Sequence, residues 1–141
     1  MTVHLSRRYV FFAAHRLHAP TLSDAENQAL YGKCNNPNGH GHNYEVEVTV
    51  GGQVNPVTGR AVDLHLLDEL CERQILAPFR YRNLNTEVEE FRHGNPTTEN
   101  LATVVEVRLR SVWLNWFPAG GPKLEKIRIW ETDRNICEVC P

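Results

Sequence analysis

Two histidines, His40 and His42, stand two residues apart within "YGKCNNPNGHGHNY", residues 31–44, a stretch that also carries Lys33 and Cys34 and has almost nothing apolar to bury. Imidazoles and thiols are the side chains that bind metals and move protons near neutral pH. If a strand begins at the histidines, residues two apart point to one face and both rings converge. Gly39 and Gly41 beside them would leave room for an ion and for close backbone approach. Two ligands do not hold zinc. A third is offered by "AAHRLH", where His15 closes the first strand and His18 is the second choice. Three histidines with one vacant vertex is the pattern of catalytic zinc, because structural sites are closed by four protein ligands. Spacing alone leaves a metal site and a solvated HGH turn as alternatives. Cys34 follows Lys33, whose charge favours a thiolate; it reads as a general base, as a fourth ligand, or as an ordinary loop thiol.

The elements that must position these groups can be read from patterning. Residues 3–14, "VHLSRRYVFFAA", are rich in β-formers. After the polar excursion "APTLSDAENQALYGKCNNPNGHGH", read as loop, "NYEVEVTV" alternates, with Tyr44, Val46, Val48 and Val50 on one side and Glu45, Glu47 and Thr49 on the other. "GGQVNPVTGR" supplies the turn that stops this strand. Asp63 then caps a helix with Leu66, Leu67, Leu70 and Ile75 as its stripe, ending before Pro78. A second helix opens at "NPTTEN" with Thr97 or Thr98 as cap and runs through Leu101, Val104, Val105, Val107 and Leu109 towards Trp113. "LEKIRIWET" places Leu124, Ile127 and Ile129 on a strand, and "ICEVC" follows a "DRN" turn as another. The order ββααββ predicts an α+β fold with an antiparallel sheet.

Composition narrows the function classes. At 141 residues the chain suits one domain, spanning 1–141, with its own core. Its 41% hydrophobic and 23% charged residues match an ordinary soluble protein. A formal charge of -2 gives no broad basic field, so a nucleic-acid partner is not expected. The longest apolar run, Tyr9 to Ala14, is far too short to span a bilayer, and no small-residue cleavage site follows that would make it a signal peptide. Cys34, Cys71, Cys137 and Cys140 are not spaced as a zinc ribbon, and they read as reduced thiols of a cytoplasmic protein, with Cys137 and Cys140 incidental.

Four segments, "FAAHRLH", "YGKCNNPNGHGHNYEVEVTV", "NPTTENLA" and "WETDRNI", together resemble the 6-pyruvoyl tetrahydropterin synthase family, which also contains the 6-carboxytetrahydropterin synthases of the queuosine pathway. The resemblance runs over nearly the whole chain. It implies a four-stranded antiparallel sheet backed by two helices, the T-fold, assembled as trimeric barrels that pair into hexamers with sites between subunits. It implies Zn2+ held by His15, His40 and His42, with His18 left as a non-ligand, and Cys34 as catalytic base. Glu131 of "ETD" would anchor a pterin ring, since a carboxylate accepts two hydrogen bonds from an amino group and the adjacent ring nitrogen. Thr97, Thr98 and Glu99 match a segment that shapes the same pocket.

One segment departs from the family pattern. There the cysteine works with an adjacent aspartate and histidine in a segment resembling "LDHKNLD". Here the segment is "FRYRNLNTEV", with Asn83, Leu84 and Val88 in register, and Arg80 and Tyr81 in the pair's places. A phenol with an ordinary pKa of about 10 and a fixed cation replace a neutral-pH proton carrier and an acceptor. Tyr81 would then donate protons and Arg80 bind triphosphate, or His65 or His93 would substitute. The expected reaction is triphosphate elimination from 7,8-dihydroneopterin triphosphate with internal redox, giving 6-pyruvoyl tetrahydropterin. A 6-carboxytetrahydropterin synthase, a side-chain-cleaving relative, and a non-catalytic zinc and pterin-binding protein are the alternatives.

Overall fold

The computed structural model describes residues 1–140. Strands β1 (Thr2–His15) and β2 (His40–Gln53) pair antiparallel over their full length, from Thr2 opposite Gln53 to His15 opposite His40. Strand β3 (Lys123–Trp130) pairs with β2 and β4 (Ile136–Val139) with β3, so the sheet order is β1-β2-β3-β4. Phe11, Ala13, Tyr44, Val46, Val48, Val50, Ile127 and Ile129 lie on one face and form the buried core with the helices. Leu124 and Ile127 are both buried although three residues apart. A register shift at Thr49 and Val50 resets the alternation between them. The opposite face is polar: Glu47 is buried between Arg8 at 3.0 Å and Arg128 at 3.8 Å, and both guanidiniums stack on Trp130, 4.7 and 4.9 Å from its ring centre.

The excursion between β1 and β2, read from the sequence as loop, contains a helix, α1 (Asp24–Tyr31), and then a 3-10 turn, Gly32–Asn35. Its signal lay in "SDAE": Ser23 accepts from the Glu26 N–H while the Glu26 carboxylate accepts from the Ser23 N–H, a reciprocal capping box. Only Asn27 of this helix is buried. Its amide accepts from the Ala19 N–H at 2.7 Å and donates to the carbonyls of Ala19, Leu22 and Ser23 at 3.0 to 3.2 Å.

Helix α2 (Leu64–Cys71) begins at Asp63, whose carboxylate accepts from the N–H groups of His65 and Leu66 at 2.9 and 3.2 Å. Its winding does not stop before Pro78 as the sequence suggested. A π turn, Glu72–Leu76, carries it into α3 (Ala77–Phe79). Pro78 has no N–H for the Gln74 carbonyl four residues back, and Arg108 donates to that carbonyl instead, at 3.2 Å. Leu67, Leu70 and Ile75 are buried as expected, but Leu66 faces out. After α4 (Leu84–Glu87), the long helix α5 (Thr98–Trp116) buries Leu101, Val105, Leu109 and Trp113 at four-residue steps against the sheet. Val107 of the expected stripe is exposed. Two helical arms thus back a four-stranded antiparallel sheet, the fold the sequence called for, with α1 added. No helix among the described residues is long and apolar enough to cross a membrane.

Candidate metal centre

Antiparallel register makes the centre. Opposing His15 to His40 and Ala13 to His42 puts three imidazoles on the helix-backed face at one end of the sheet. Their Nε2 atoms lie 3.2 Å (His15 to His40), 3.1 Å (His15 to His42) and 3.0 Å (His40 to His42) apart. His15 is fully buried, and its Nδ1 stands 2.9 Å from the Pro96 carbonyl. A carbonyl only accepts, so Nδ1 carries the proton and the Nε2 lone pair faces the other two rings. Tyr44 Oη lies 3.1 Å from the same Nδ1. Burial pulls His15 and His42 below the usual imidazole range, with Glu131 opposing in both, which keeps the rings neutral and ready to bind a cation. Lone pairs converging at about 3 Å repel unless a cation sits among them. Tetrahedral zinc with bonds of about 2.0–2.1 Å sets its nitrogens roughly 3.3 Å apart, so the donor set fits that ion.

Cys34 joins the same cluster. Ligand atoms of His15, Cys34, His40 and His42 all lie within 4.8 Å of one another. The thiol is pushed up from its ordinary range, first by burial and then by the Glu131 charge. Lys33, expected to favour the thiolate, is exposed and is not what sets the thiol's acidity. A cation held by the imidazoles would act in the opposite sense to Glu131.

Glu131 stands beside the histidines, Oε1 being 3.7 Å from His42 Nε2. It is buried, and Thr98 Oγ1 donates to its Oε2 at 2.7 Å. Asn135, from the turn before β4, donates to Thr98 Oγ1 at 3.1 Å and reaches Oε1 at 3.5 Å. Glu131, Thr98 and Asn135 therefore share one polar nest beside the histidines. Thr97 instead caps α5, its hydroxyl accepting from the Asn100 N–H at 3.2 Å, and Glu99 is exposed in the first helical turn.

Gly41 does not make room for an ion. A Cβ there would meet the Phe12 ring at 2.2 Å, on the face away from the histidines, whereas Gly39, at φ +71°, brings the chain so close that a Cβ would lie 2.8 Å from the His15 carbonyl oxygen. His18 is not among the clustered ligands; its Nδ1 accepts from Asn35 Nδ2 at 3.0 Å. His93 is exposed on the loop before Asn95, and His65 lines a different cavity, with Arg7, Arg60 and Trp116. Arg80 pairs through both guanidinium nitrogens with Glu72, each bond 2.9 Å. Tyr81 is exposed and lies beside Phe12, whose ring covers the opposite sheet face, so a single chain does not bring Arg80 or Tyr81 to the imidazoles.

Sequence reasoning passed over Pro96, Tyr44 and Asn135 as site residues. Tyr44 alone had a signal, because it follows His40 and His42 at the same two-residue step on one strand face.

Comparison with known proteins agrees with this geometry. The family model for 6-pyruvoyl tetrahydropterin synthase matches residues 4–141. The 6-pyruvoyl tetrahydrobiopterin synthase of Homo sapiens is 46% identical over 132 residues, covering 94% of this chain and 87% of that protein. Its Drosophila melanogaster counterpart is 43% identical over 133 residues, covering 94% and 76%. The structure of Caenorhabditis elegans 6-pyruvoyl tetrahydropterin synthase superposes with a TM-score of 0.88 at 41% identity, covering 100% of this chain and 96% of the other. With the fold, the histidine-bearing strand pair and these likenesses in agreement, the chain belongs to the 6-pyruvoyl tetrahydropterin synthase family.

Proposed function

We propose that the protein is a zinc-dependent pterin lyase that converts 7,8-dihydroneopterin triphosphate to 6-pyruvoyl tetrahydropterin, in the cytoplasm, where its four free cysteines would stay reduced. The observation that carries this reading is the convergence of three Nε2 atoms at 3.0 to 3.2 Å with a thiol beside them. His15, His40 and His42 would hold the zinc. When bound, that ion supplies Lewis-acid polarisation of a side-chain hydroxyl of the substrate. Cys34 removes a proton from the substrate side chain, and triphosphate leaves with its bonding electron pair. The oxidation level is redistributed between side chain and ring, so no outside oxidant is needed. Glu131 accepts hydrogen bonds from the pterin amino group and ring nitrogen, held in place by Thr98 and Asn135. Thr97 and Glu99 complete the rim.

Arg80 is engaged by Glu72 and Tyr81 faces away, so proton delivery by Tyr81 or triphosphate binding by Arg80 calls for a second copy of the chain, as in the expected trimer or hexamer. The same observation favours a second reading, a zinc and pterin-binding protein without lyase activity.

Zinc-replete protein incubated with 7,8-dihydroneopterin triphosphate should release triphosphate and 6-pyruvoyl tetrahydropterin, both read by mass. Tight pterin binding without turnover would leave the binding protein. A carboxylated or side-chain-cleaved product would move the assignment to the related reactions.

A further inference from the structure

Cys34 lies on a part of the chain with little apolar anchorage. Between residues 16 and 36 Leu17 is the one buried apolar residue, and the other two buried side chains are Asn27 and Asn35. Yet the thiol has to be held to within a fraction of an ångström of the histidine cluster for its chemistry to work. What fixes it is polar. Leu17 N–H donates to the Cys34 carbonyl at 2.7 Å, and Arg16 Nε donates to the Asn35 carbonyl at 3.2 Å. Asn35, 6% exposed, sends its side-chain amide back the other way, donating to the Leu17 carbonyl at 2.7 Å and to His18 Nδ1 at 3.0 Å. These bonds join residues 34 and 35 to residues 16 to 18, immediately after the ligand His15.

We propose that Asn35 is the positioning residue for Cys34: its NH2 group bridges the Leu17 carbonyl and His18 Nδ1, fixing the thiol-bearing turn to the end of the histidine-bearing strand. The side chain is specific for this task. Two hydrogens on one planar nitrogen meet two acceptors, a match that aspartate lacks because it brings only acceptors. Alanine would leave the buried Leu17 carbonyl and the half-buried His18 Nδ1 without this donor. His18, the histidine left outside the metal set, has its role here as the second acceptor.

The inference rests on Cys34 acting as the base, and its test separates the two ideas. Asn35→Ala and His18→Phe are compared with the zinc-replete parent for kcat, KM, zinc content, melting midpoint and the rate of Cys34 alkylation by iodoacetamide, read at its own peptide. Asn35→Ala should lower kcat roughly 100-fold, the scale of a 1 Å misplacement, with zinc bound stoichiometrically and KM little changed. Alkylation of Cys34 should quicken. His18→Phe, which keeps the bond to Leu17, should shift kcat and alkylation in the same directions by less. Unchanged kcat and alkylation in both variants overturns the proposal, as does a kcat that falls only in step with lost zinc or lost folded protein. Alkylation needs no substrate, so a parent that turns over no pterin defeats the lyase reading while the labelling still decides the role of Asn35.

Discussion

The imidazole cluster and the Arg80–Tyr81 dipeptide both meet the end of β1, the first on its helix-backed face and the second along its outer edge, with the Tyr81 ring beside Phe12 on the far face. His15 points into the helix-backed side, where pairing with His40 fixes it. Tyr81 donates its N–H to the Phe12 carbonyl at 2.7 Å, and Arg82 accepts from Ala14, so the dipeptide runs along the strand's outer edge. Among the described residues Tyr81 is the one non-glycine residue with positive φ, at 59°, a conformation costing an L-residue about 1 kcal/mol. Two backbone bonds and the Arg80–Glu72 pair hold it there. The contrast accounts for a resemblance that holds at the histidines and departs at Arg80 and Tyr81. A histidine cluster built into strand register is lost when one member changes, whereas an edge segment fixed through its backbone can exchange side chains and keep its path.

On that division, breaking the register side has the largest effect. His40→Ala or His42→Ala should weaken zinc binding by at least about 100-fold and abolish turnover with it, read by elemental analysis after dialysis. Stoichiometric zinc in either variant would remove the cluster from the argument. Next comes Cys34→Ala, which should keep its zinc and lose roughly 100- to 10,000-fold in kcat, the range for a positioned acid-base group. Loss of zinc in this variant would identify Cys34 as a ligand and not a base.

Restoring the edge side should act more gently. Arg80→Asp combined with Tyr81→His would install the aspartate and histidine expected from the family resemblance, and histidine accepts the left-handed backbone at 81 more readily than tyrosine. A rise in kcat of about 10-fold is expected, well within what such a group can supply. An unchanged or lower rate would mean that the present pair is adapted to its own proton route.

The smallest effect concerns stability without metal. Burial lowers the His15 and His42 pKa values below 6.5, while the unfolded chain takes up protons near that value. The unfolded state therefore binds more protons as pH drops, and the stabilisation present above about 6.5 is lost on acidification. The melting midpoint of metal-free protein should fall by a few degrees between pH 7 and 5, and a flat profile would mean that the rings are not held neutral.

Much of this was legible in the residues. Alternation through "HGHNYEVEVTV" gave β2 and the shared face of His40 and His42, and Asp63 and the Thr97–Thr98 pair announced their helices, with Thr97 the cap. Three readings needed the fold. The capping box at Ser23 was hidden in a stretch so polar that it resembled loop, because α1 is anchored by Asn27 and not by an apolar stripe. Gly41 is small for the sake of the Phe12 ring, a neighbour 29 positions away in sequence (41 minus 12). Lys33 was placed beside Cys34 by chain adjacency, yet burial and Glu131 set the thiol's acidity.

By itself the sequence determined which groups were available for chemistry, three imidazoles, a thiol and a carboxylate, and which short-range patterns would form strands and helices, because these depend on residue type and on repeats of two or about four. The tertiary structure decided which of them meet. Whether His15 faces His40, whether Glu131 reaches His42 and whether Tyr81 lies on the near or far side of the sheet are matters of pairing register and face, set by the packing of segments distant along the chain.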